Sequence, residues 1–319
     1  MSITPPKSLI LSFKQLSKKD VGIAGGKGAS LGEMINNNIP VPPGFVILAS
    51  AFDRFLEETD LEHEIDSLIR KVNYKDVNSV DRASNTIRDM IHDQKITKDI
   101  EKEIVSDFKK LKAKFVAVRS SATAEDSSVA SWAGELESYL NTTEKTLLEN
   151  VKKCWSSLFT PRAMFYRHEK KLMDSKVSVA VVVQKMVESE ISGICFTVHP
   201  VTEDRNQMII EAGLGLGEAI VSGSITPDSF VLDKKKKEIT DVNVAKQARK
   251  IIRGLSGGTK WVNIPKNIQE KQKLADKKVL ELASICAGIE KHYKKPQDIE
   301  WAYGRGKFYI IQSRPITTL

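Results

Sequence analysis

The 319-residue sequence has few cysteines and no long hydrophobic run, and each absence excludes a class of protein. Its three cysteines, Cys154, Cys195 and Cys286, lie far apart and form no CxxC pair, so we expect neither a zinc knuckle nor a disulfide framework. The longest apolar run covers residues 177–183 and is interrupted by Ser178, which is far too short to cross a membrane. The N-terminal segment has no cleavage site of the export type, so a reducing cytoplasm is the expected compartment.

Clustered histidines and aromatic residues placed to stack on bases are also missing. The five histidines show no metal-ligand spacing such as HExxH, and none is placed as a nucleophile. The 49 basic and 41 acidic residues give a net charge of +8, which favours anionic partners in general. Lysines condense only at residues 234–237, without interleaved aromatics, so we expect neither a nucleic acid nor a membrane as partner, and we interpret this run as a solvated turn.

Hydrophobic residues at 41% and charged residues at 28% are typical of a chain with a packed core, and the patterns predict a mixed α+β fold. Apolar residues at helical spacing predict helices over residues 50–58, 79–93, 97–113, 144–158, 161–173 and 269–293. Runs rich in β-branched residues predict strands over residues 45–48, 115–118, 177–186, 193–197, 208–212, 229–233 and 307–312.

Two glycine-rich segments invite comparison with nucleotide-binding loops. GIAGGKG at residues 22–28 fails the Walker pattern, because Val21 stands where a glycine is required and Gly28 where Ser or Thr would bind magnesium. Its amides, the following helix and Lys27 could still hold an anion, and a structural turn is the equal alternative. GLGLGE at residues 213–218 lacks the third glycine of a dinucleotide fingerprint, so it is either a nucleotide contact or a structural turn.

Polar side chains suited to phosphate and magnesium follow or lie on predicted strands. Arg119 ends a short apolar strand, where its guanidinium could grip phosphate oxygens or form a surface ion pair. Asp298 and Glu300 share one face of an extended segment, because side chains alternate along it, and Gln312 and Arg314 share one face of the last strand. Carboxylate and amide oxygens suit Mg²⁺, which takes its remaining ligands from water and phosphates.

Eight segments distributed over nearly the whole chain resemble, in the same order, the N-terminal ATP-grasp domain of the family that contains phosphoenolpyruvate synthase, pyruvate phosphate dikinase and rifampicin phosphotransferase. They are GGKGASLGEM (25–34), VPPGFVI (41–47), VAVRSSATAEDS (116–127), WAGELESYLN (132–141), VVVQKMV (181–187), SGICFTVHPVT (192–202), EAGLGLGEAIVSGSITPDSFVLD (211–233) and PQDIEWAYGRGKFYIIQSRPIT (296–317). A collinear match of this length makes a chance resemblance negligible, and it favours the nucleotide interpretation of both glycine segments.

The resemblance implies an ATP-grasp fold with two lobes, about 1–185 and 186–319, and the nucleotide in a cleft between them. The ATP contacts that it implies are Lys27, Arg119, Gly134, Ser138, Gln184, Met186, Glu300, Gln312 and Arg314. Among these, Lys27, Arg119 and Arg314 would be the catalytic phosphate contacts, with Arg314 nearest the γ-phosphate. Glu300 and Gln312 would hold Mg²⁺, and Asp298 and Glu211 would be carboxylates just outside them.

The resemblance also implies an activity: transfer of the β-phosphate of ATP to a histidine on a separate domain, which gives AMP, while the γ-phosphate goes to water or phosphate. The Thr-Ser-His phosphocarrier motif is absent from this sequence, so we expect the histidine and acceptor domains to act in trans or to lie outside it. A phosphoenolpyruvate synthase-type domain is the leading hypothesis. The alternatives are the ATP domain of a rifampicin-type antibiotic phosphotransferase and a stand-alone nucleotide-binding module without turnover.

Overall fold

The computed structural model describes residues 8–123, 137–173, 177–255 and 257–316. These residues form an α+β fold in which every sheet is antiparallel. The chain divides into two compact units, one of residues 1–33 and 43–186 and one of residues 34–42 and 187–319. Of the helices within the described ranges, none is both long and apolar enough to cross a membrane.

The first unit is built on a five-stranded sheet whose strands follow the order β1-β2-β5-β3-β4. Its strands are β1 (Ile10–Ser12), β2 (Gly44–Ile47), β3 (Val116–Ala122), β4 (Ser138–Thr142) and β5 (Val179–Lys185). Its helices are α1 (Val21–Asn36), whose last residues belong to the second unit, α2 (Ala49–Glu58), α3 (Leu61–Arg70), α4 (Val77–Asp93), α5 (Lys98–Lys110), α6 (Leu147–Ser156) and α7 (Pro161–Glu169).

Alternate residues of the two central strands of this sheet belong to one hydrophobic core. Val116 and Val118 of β3 pack with Val181 of β5 and with apolar side chains of helices α2 to α7. Trp155 of α6 is completely buried there and stacks on Phe52 of α2, with ring centroids 5.5 Å apart. Because strand side chains alternate, the intervening residues of β3 and β5 point to the other face of the sheet.

The second unit is built on a six-stranded sheet of order β13-β12-β6-β7-β8-β9, together with a separate two-stranded hairpin. The sheet strands are β6 (Ile191–Phe196), β7 (Gln207–Leu214), β8 (Asp228–Asp233), β9 (Glu238–Asn243), β12 (Gln297–Gly304) and β13 (Lys307–Pro315). The hairpin strands are β10 (Arg249–Arg253) and β11 (Thr259–Asn263), and the helices are α8 (Glu218–Val221) and α9 (Asp276–Tyr293).

A buried ion pair fixes the segment that leads into α9. Lys273 Nζ lies 3.0 Å from Asp228 Oδ1, and the two side chains are 1% and 0% exposed. Asp228 also accepts the backbone N–H groups of Lys273, at 2.7 Å, and of Ala245, at 3.0 Å. Its carboxylate therefore ties the start of β8 to two segments far away in the sequence.

All the predicted helices are confirmed, with shifted ends, and so are the predicted strands. The helix predicted over residues 269–293 was placed too early, because α9 begins only at Asp276 and Lys273 lies in the segment held by the ion pair. Residues 234–237 do form a turn, but the description of this run as solvated is wrong for Lys234. Its Nζ donates to the carbonyl oxygen of Thr197, at 2.7 Å, and lies 2.8 Å from Glu290.

Candidate functional site

Three of the side chains predicted to contact ATP in the first unit, those of Arg119, Ser138 and Gln184, lie on the face of the five-stranded sheet that is turned away from the core. Arg119 of β3 lies opposite Ser138 of β4 and Val182 of β5. Gln184 lies opposite Ala117, two residues before Arg119 on β3, so the pleat puts Arg119 and Gln184 on the same face. Arg119 is buried, whereas Ser138 is exposed. Arg119, Ser138 and Gln184 are thus neighbours on one surface.

The first glycine segment lies at the start of α1 and is hydrogen-bonded to Ser121 of β3. Gly25 has φ 68° and ψ 170° inside α1, and a Cβ at this position would lie only 2.1 Å from Ser121 Oγ. The N–H groups of Lys27 and Gly28 donate to the same hydroxyl, at 3.1 and 3.4 Å. Ser121 thus accepts two amides of the segment, as the structural-turn alternative requires, and does not decide between the two alternatives. The Lys27 side chain remains a candidate phosphate contact.

Gln184 has a buried hydrogen-bond donor that no described residue satisfies. The residue is 2% exposed, and its Nε2 has no hydrogen-bond partner among the residues that the structure describes. An unsatisfied buried donor costs about 1–3 kcal/mol, so this amide suits a ligand with an acceptor, such as a ring nitrogen of adenine. The Met186 N–H, by contrast, donates to the Phe115 carbonyl oxygen at 3.1 Å. Gly134 lies outside the described residues.

In the second unit, the predicted residues form two rows across one face of the six-stranded sheet. Glu300 of β12 lies opposite Gln312 of β13 and Ile194 of β6, and Ile194 lies opposite Glu211 of β7. These positions form the first row, because residues directly opposite each other share a face.

The second row lies beside it. Asp298 lies opposite Arg314, two residues along each strand from Glu300 and Gln312. The structure therefore brings together all the side chains that were predicted for this unit, namely Glu211, Asp298, Glu300, Gln312 and Arg314.

This face concentrates negative charge around one guanidinium group. Arg314 donates from Nε and Nη2 to Asp298 Oδ2, at 2.9 and 2.7 Å. Burial raises the pKa of Asp298 even though Arg314 lowers it, and Glu300 raises it further. Burial also raises the pKa of Glu211, and the charge of Asp298 adds to the effect. A bound cation would relieve this repulsion between carboxylates.

The opposed pair Glu300 and Gln312 fits Mg²⁺. Side chains directly opposite on antiparallel strands have Cβ atoms about 4.5–5.5 Å apart, and their carboxylate and amide oxygens are hard ligands. Across the described ranges, no group of three or more His, Cys, Asp or Glu residues is arranged to hold a metal. A site with two protein ligands suits Mg²⁺ nevertheless, because this ion keeps several waters and shares substrate phosphates.

The second glycine segment packs against the hairpin. Gly215 has φ 96°, and a Cβ there would lie 2.5 Å from the Ile251 carbonyl oxygen, which accepts the Leu216 N–H at 2.9 Å. These contacts support the structural-turn alternative for residues 213–218. His199 is a loop residue, whose Nδ1 accepts the N–H groups of Val201 and Thr202 at 3.2 Å.

Sequence reasoning missed Ser121 as a structural partner of the first glycine segment. Its position in the run Arg119-Ser120-Ser121 drew attention to the arginine alone. The hydroxyl contacts residues about 90 positions earlier, and a contact at that distance gives no local signal in the sequence.

Comparison with known protein families identifies the class of the chain. Residues 21–319 match the family described as "Pyruvate phosphate dikinase, AMP/ATP-binding domain". The chain belongs to this family, and the resemblance stated from its motifs is confirmed.

Individual relatives match over almost the whole chain. It is 46% identical to a "Probable phosphoenolpyruvate synthase" of Methanocaldococcus jannaschii over 312 residues, which is 96% of this chain and 26% of that protein. It is also 46% identical to a protein of the same name from Archaeoglobus fulgidus, over 97% of this chain and 42% of that protein. A "Rifampicin phosphotransferase" of Bacillus subtilis is 38% identical, over 98% of this chain and 36% of that protein. The chain thus spans less than half the length of these curated relatives.

Proposed function

We propose that this chain is the MgATP-dependent phosphoryl-transfer domain of a phosphoenolpyruvate synthase-type enzyme, a pyruvate, water dikinase. It transfers the β-phosphate of ATP to a histidine on another domain and the γ-phosphate to water, with AMP and phosphate as products. The proposed fold is ATP-grasp, with lobes of about 1–185 and 186–319. The observation that carries the proposal is the sheet face on which Glu300 opposes Gln312 and Asp298 opposes Arg314.

The residues of the first unit would bind and orient the nucleotide. The Gln184 amide would donate to the adenine edge, and this would satisfy a buried donor that has no partner among the described residues. Arg119 and Lys27 would hold the phosphates, with the Ser138 hydroxyl beside Arg119. Phosphoryl transfer depends mainly on positioning and on charge stabilisation, which is what these groups supply.

The residues of the second unit would act at the γ-phosphate, which is released as phosphate. Arg314 would stabilise the negative charge on the γ-phosphate, and Asp298 would orient its guanidinium through the two N–H groups that it accepts. Glu300 and Gln312 would hold Mg²⁺, which neutralises phosphate charge when it is bound. Glu211, two strands from Glu300 in the same row, would add to the negative potential that attracts the ion.

The test is an ATP assay with the full chain and phosphocarrier histidine domains taken from the named relatives. We expect AMP, phosphate and phosphohistidine, all visible by ³¹P NMR. Arg314→Ala should slow transfer by about 10²-fold or more and leave nucleotide affinity partly intact. Arg305→Ala is the matched control, because Arg305 is exposed in the turn of the same hairpin and should not affect transfer. Transfer at the normal rate by Arg314→Ala would contradict its role.

The match to a rifampicin phosphotransferase supports a second candidate, the ATP domain of an antibiotic phosphotransferase. The two candidates share the ATP half-reaction and differ in the acceptor, which this chain does not supply. An assay with pyruvate and with rifampicin, each combined with the corresponding histidine and acceptor domains, separates them. Tight MgATP binding without ATP consumption in every combination would instead indicate a nucleotide-binding module without turnover.

A further inference from the structure

The first unit contains a cavity of about 640 Å³ whose lining includes none of the residues assigned to ATP. Side chains from α2, α3, α7 and the residues just before β5 line it. Its volume is within the range of pockets that hold small molecules, about 300–1,000 Å³. The proposed ATP-dependent activity does not use this cavity.

Arg167 of α7 is a buried cation in the lining of this cavity. The residue is 8% exposed, and its Nε is buried without a hydrogen-bond partner in the part of the chain that the structure describes. Within the same ranges, no carboxylate lies within ion-pair distance of its guanidinium. Burial lowers its pKa, and the more distant groups Tyr74 and Asp66 act in the opposite direction. A buried guanidinium without a close partner is costly, so Arg167 points to an anionic ligand that pairs with it where none of the described carboxylates does.

The rest of the lining restricts the chemistry of that anion. The accessible wall is divided about equally between polar and apolar side chains, and its apolar part, which includes Phe52, Leu56, Ile65 and Phe159, can accept a ligand with an apolar or aromatic body. At one side, Tyr74 stacks on His168 with ring centroids 4.1 Å apart, which provides a flat aromatic surface.

Negative side chains in the lining weigh against a highly charged ligand. Asp53, Glu62 and Asp66 line the same cavity, and Asp53 accepts the Ser178 hydroxyl at 2.7 Å. These carboxylates would repel a phosphate dianion more strongly than a monoanion. A carboxylate carries one charge and matches the guanidinium fork with two parallel hydrogen bonds.

We propose that this cavity is a binding site for a small monocarboxylate with an apolar or aromatic body, whose carboxylate pairs with Arg167. The site is distinct from the residues assigned to ATP, and it stands whether or not the proposed phosphoryl transfer is correct.

The test uses benzoate as the probe, titrated into the full chain by isothermal titration calorimetry and by ligand-observed NMR. Saturable benzoate binding is expected, whereas benzamide, which is neutral and of the same shape, and inorganic phosphate should bind at least about tenfold more weakly. Arg167→Met should lower the affinity for benzoate about 10- to 100-fold and leave MgATP binding unchanged. Arg162→Met is the matched control, because Arg162 is exposed on the same helix and should not alter benzoate binding.

Thermal unfolding separates a ligand-binding role of Arg167 from a structural one. Because Arg167→Met removes a buried charge that has no close partner among the described residues, its melting temperature should equal or exceed that of the wild type. Should this variant fail to fold, Arg167→Lys keeps the charge without the fork and should retain only part of the benzoate affinity. The proposal is overturned if the wild type shows no saturation up to about 10 mM benzoate. It is equally overturned if Arg167→Met binds benzoate as the wild type does, or if phosphate binds as tightly as benzoate.

Discussion

Replacing Gln184 by methionine should make the protein more stable and a poorer binder of MgATP. The Gln184 side chain is 2% exposed, and its Nε2 has no hydrogen-bond partner within the described part of the chain. Methionine has nearly the same length and volume but no amide, so the packing is largely kept and the unsatisfied donor is removed. The two effects have opposite signs because the donor is costly in the free protein and, in the proposed complex, donates to the nucleotide.

General hydrogen-bond energies give the expected size of both effects. Removing a buried unsatisfied amide should recover about 1 kcal/mol or more of the free energy of unfolding, which raises the melting temperature by roughly 2–4 °C. Losing one hydrogen bond to adenine should weaken MgATP binding about tenfold, since 1.4 kcal/mol corresponds to a factor of 10.

Gln247 provides the matched control. It is 1% exposed, and its Nε2 donates to the carbonyl oxygens of Leu214 and Arg249, at 3.0 and 3.2 Å. Its Oε1 accepts the Leu214 N–H at 2.8 Å. Gln247→Met removes the partner of these three partly buried backbone groups, so it should lower the free energy of unfolding by about 3 kcal/mol.

The assay is thermal and urea unfolding without nucleotide, followed by calorimetric titration of the folded variants with MgATP. The role assigned to Gln184 is refuted if Gln184→Met loses stability as Gln247→Met does, because its amide would then be satisfied within the protein. It is also refuted if Gln184→Met binds MgATP with unchanged affinity, because the donor would then have no part in the complex.

Glu300→Ala should weaken nucleotide binding at least about tenfold in Mg²⁺ and less than about twofold in EDTA, as calorimetric titration under both conditions would show. The raised pKa of Glu211 means that its contribution to stability is complete below the unfolded-state value, about 4.3, and is lost as the pH rises through the folded-state value. The free energy of unfolding should therefore fall with increasing pH above about 4, and Glu211→Gln should flatten that fall in urea titrations. Lys273→Met leaves Asp228 buried without its counter-charge and should cost about 3–5 kcal/mol by urea unfolding, whereas Lys278→Met, which breaks an exposed pair, should cost less than about 1 kcal/mol.

Local sequence patterns predict an element well when its buried residues follow a simple pattern along the chain. Helix α4 and strand β5 illustrate this, since their buried residues recur at helical spacing in one and form a continuous run in the other. Strand β9 was missed because its residues are almost all exposed, so EITDVN carries no alternation of polar and apolar side chains. Helix α3 buries only Leu61 and Ile65, too few for a clear helical period.

Contacts between distant segments could not be predicted in the same way. The glycines at residues 25 and 215 were weighed as ligand contacts, and in the structure each allows the close approach of another backbone, which no local pattern reveals. The surroundings of the buried Arg167 could not be predicted from local patterns either. Its position on α7 is predicted, but that no described carboxylate pairs with it depends on what α2, α3 and the residues just before β5 bring near it.

The arrangement of Glu300 and Gln312 depends on a single irregularity in the last hairpin. Strands β12 and β13 are joined by the two-residue turn Arg305–Gly306, with φ 52° and 77°, which pairs Gly304 with Lys307 and continues regularly to Trp301 and Ile310. Continued without change, that register would place Glu300 opposite Ile311.

A β-bulge shifts the pairing by one residue, so that Glu300 lies opposite Gln312 and Asp298 opposite Arg314. Because side chains alternate, a one-residue shift moves Gln312 and Arg314 to the other face relative to β12. The two pairs of polar residues were each predictable from alternation, whereas their meeting on one face was implied only by the family resemblance. The bulge turns two polar stripes into one candidate site for magnesium and phosphate, and a position beside a functional site is where such bulges commonly occur.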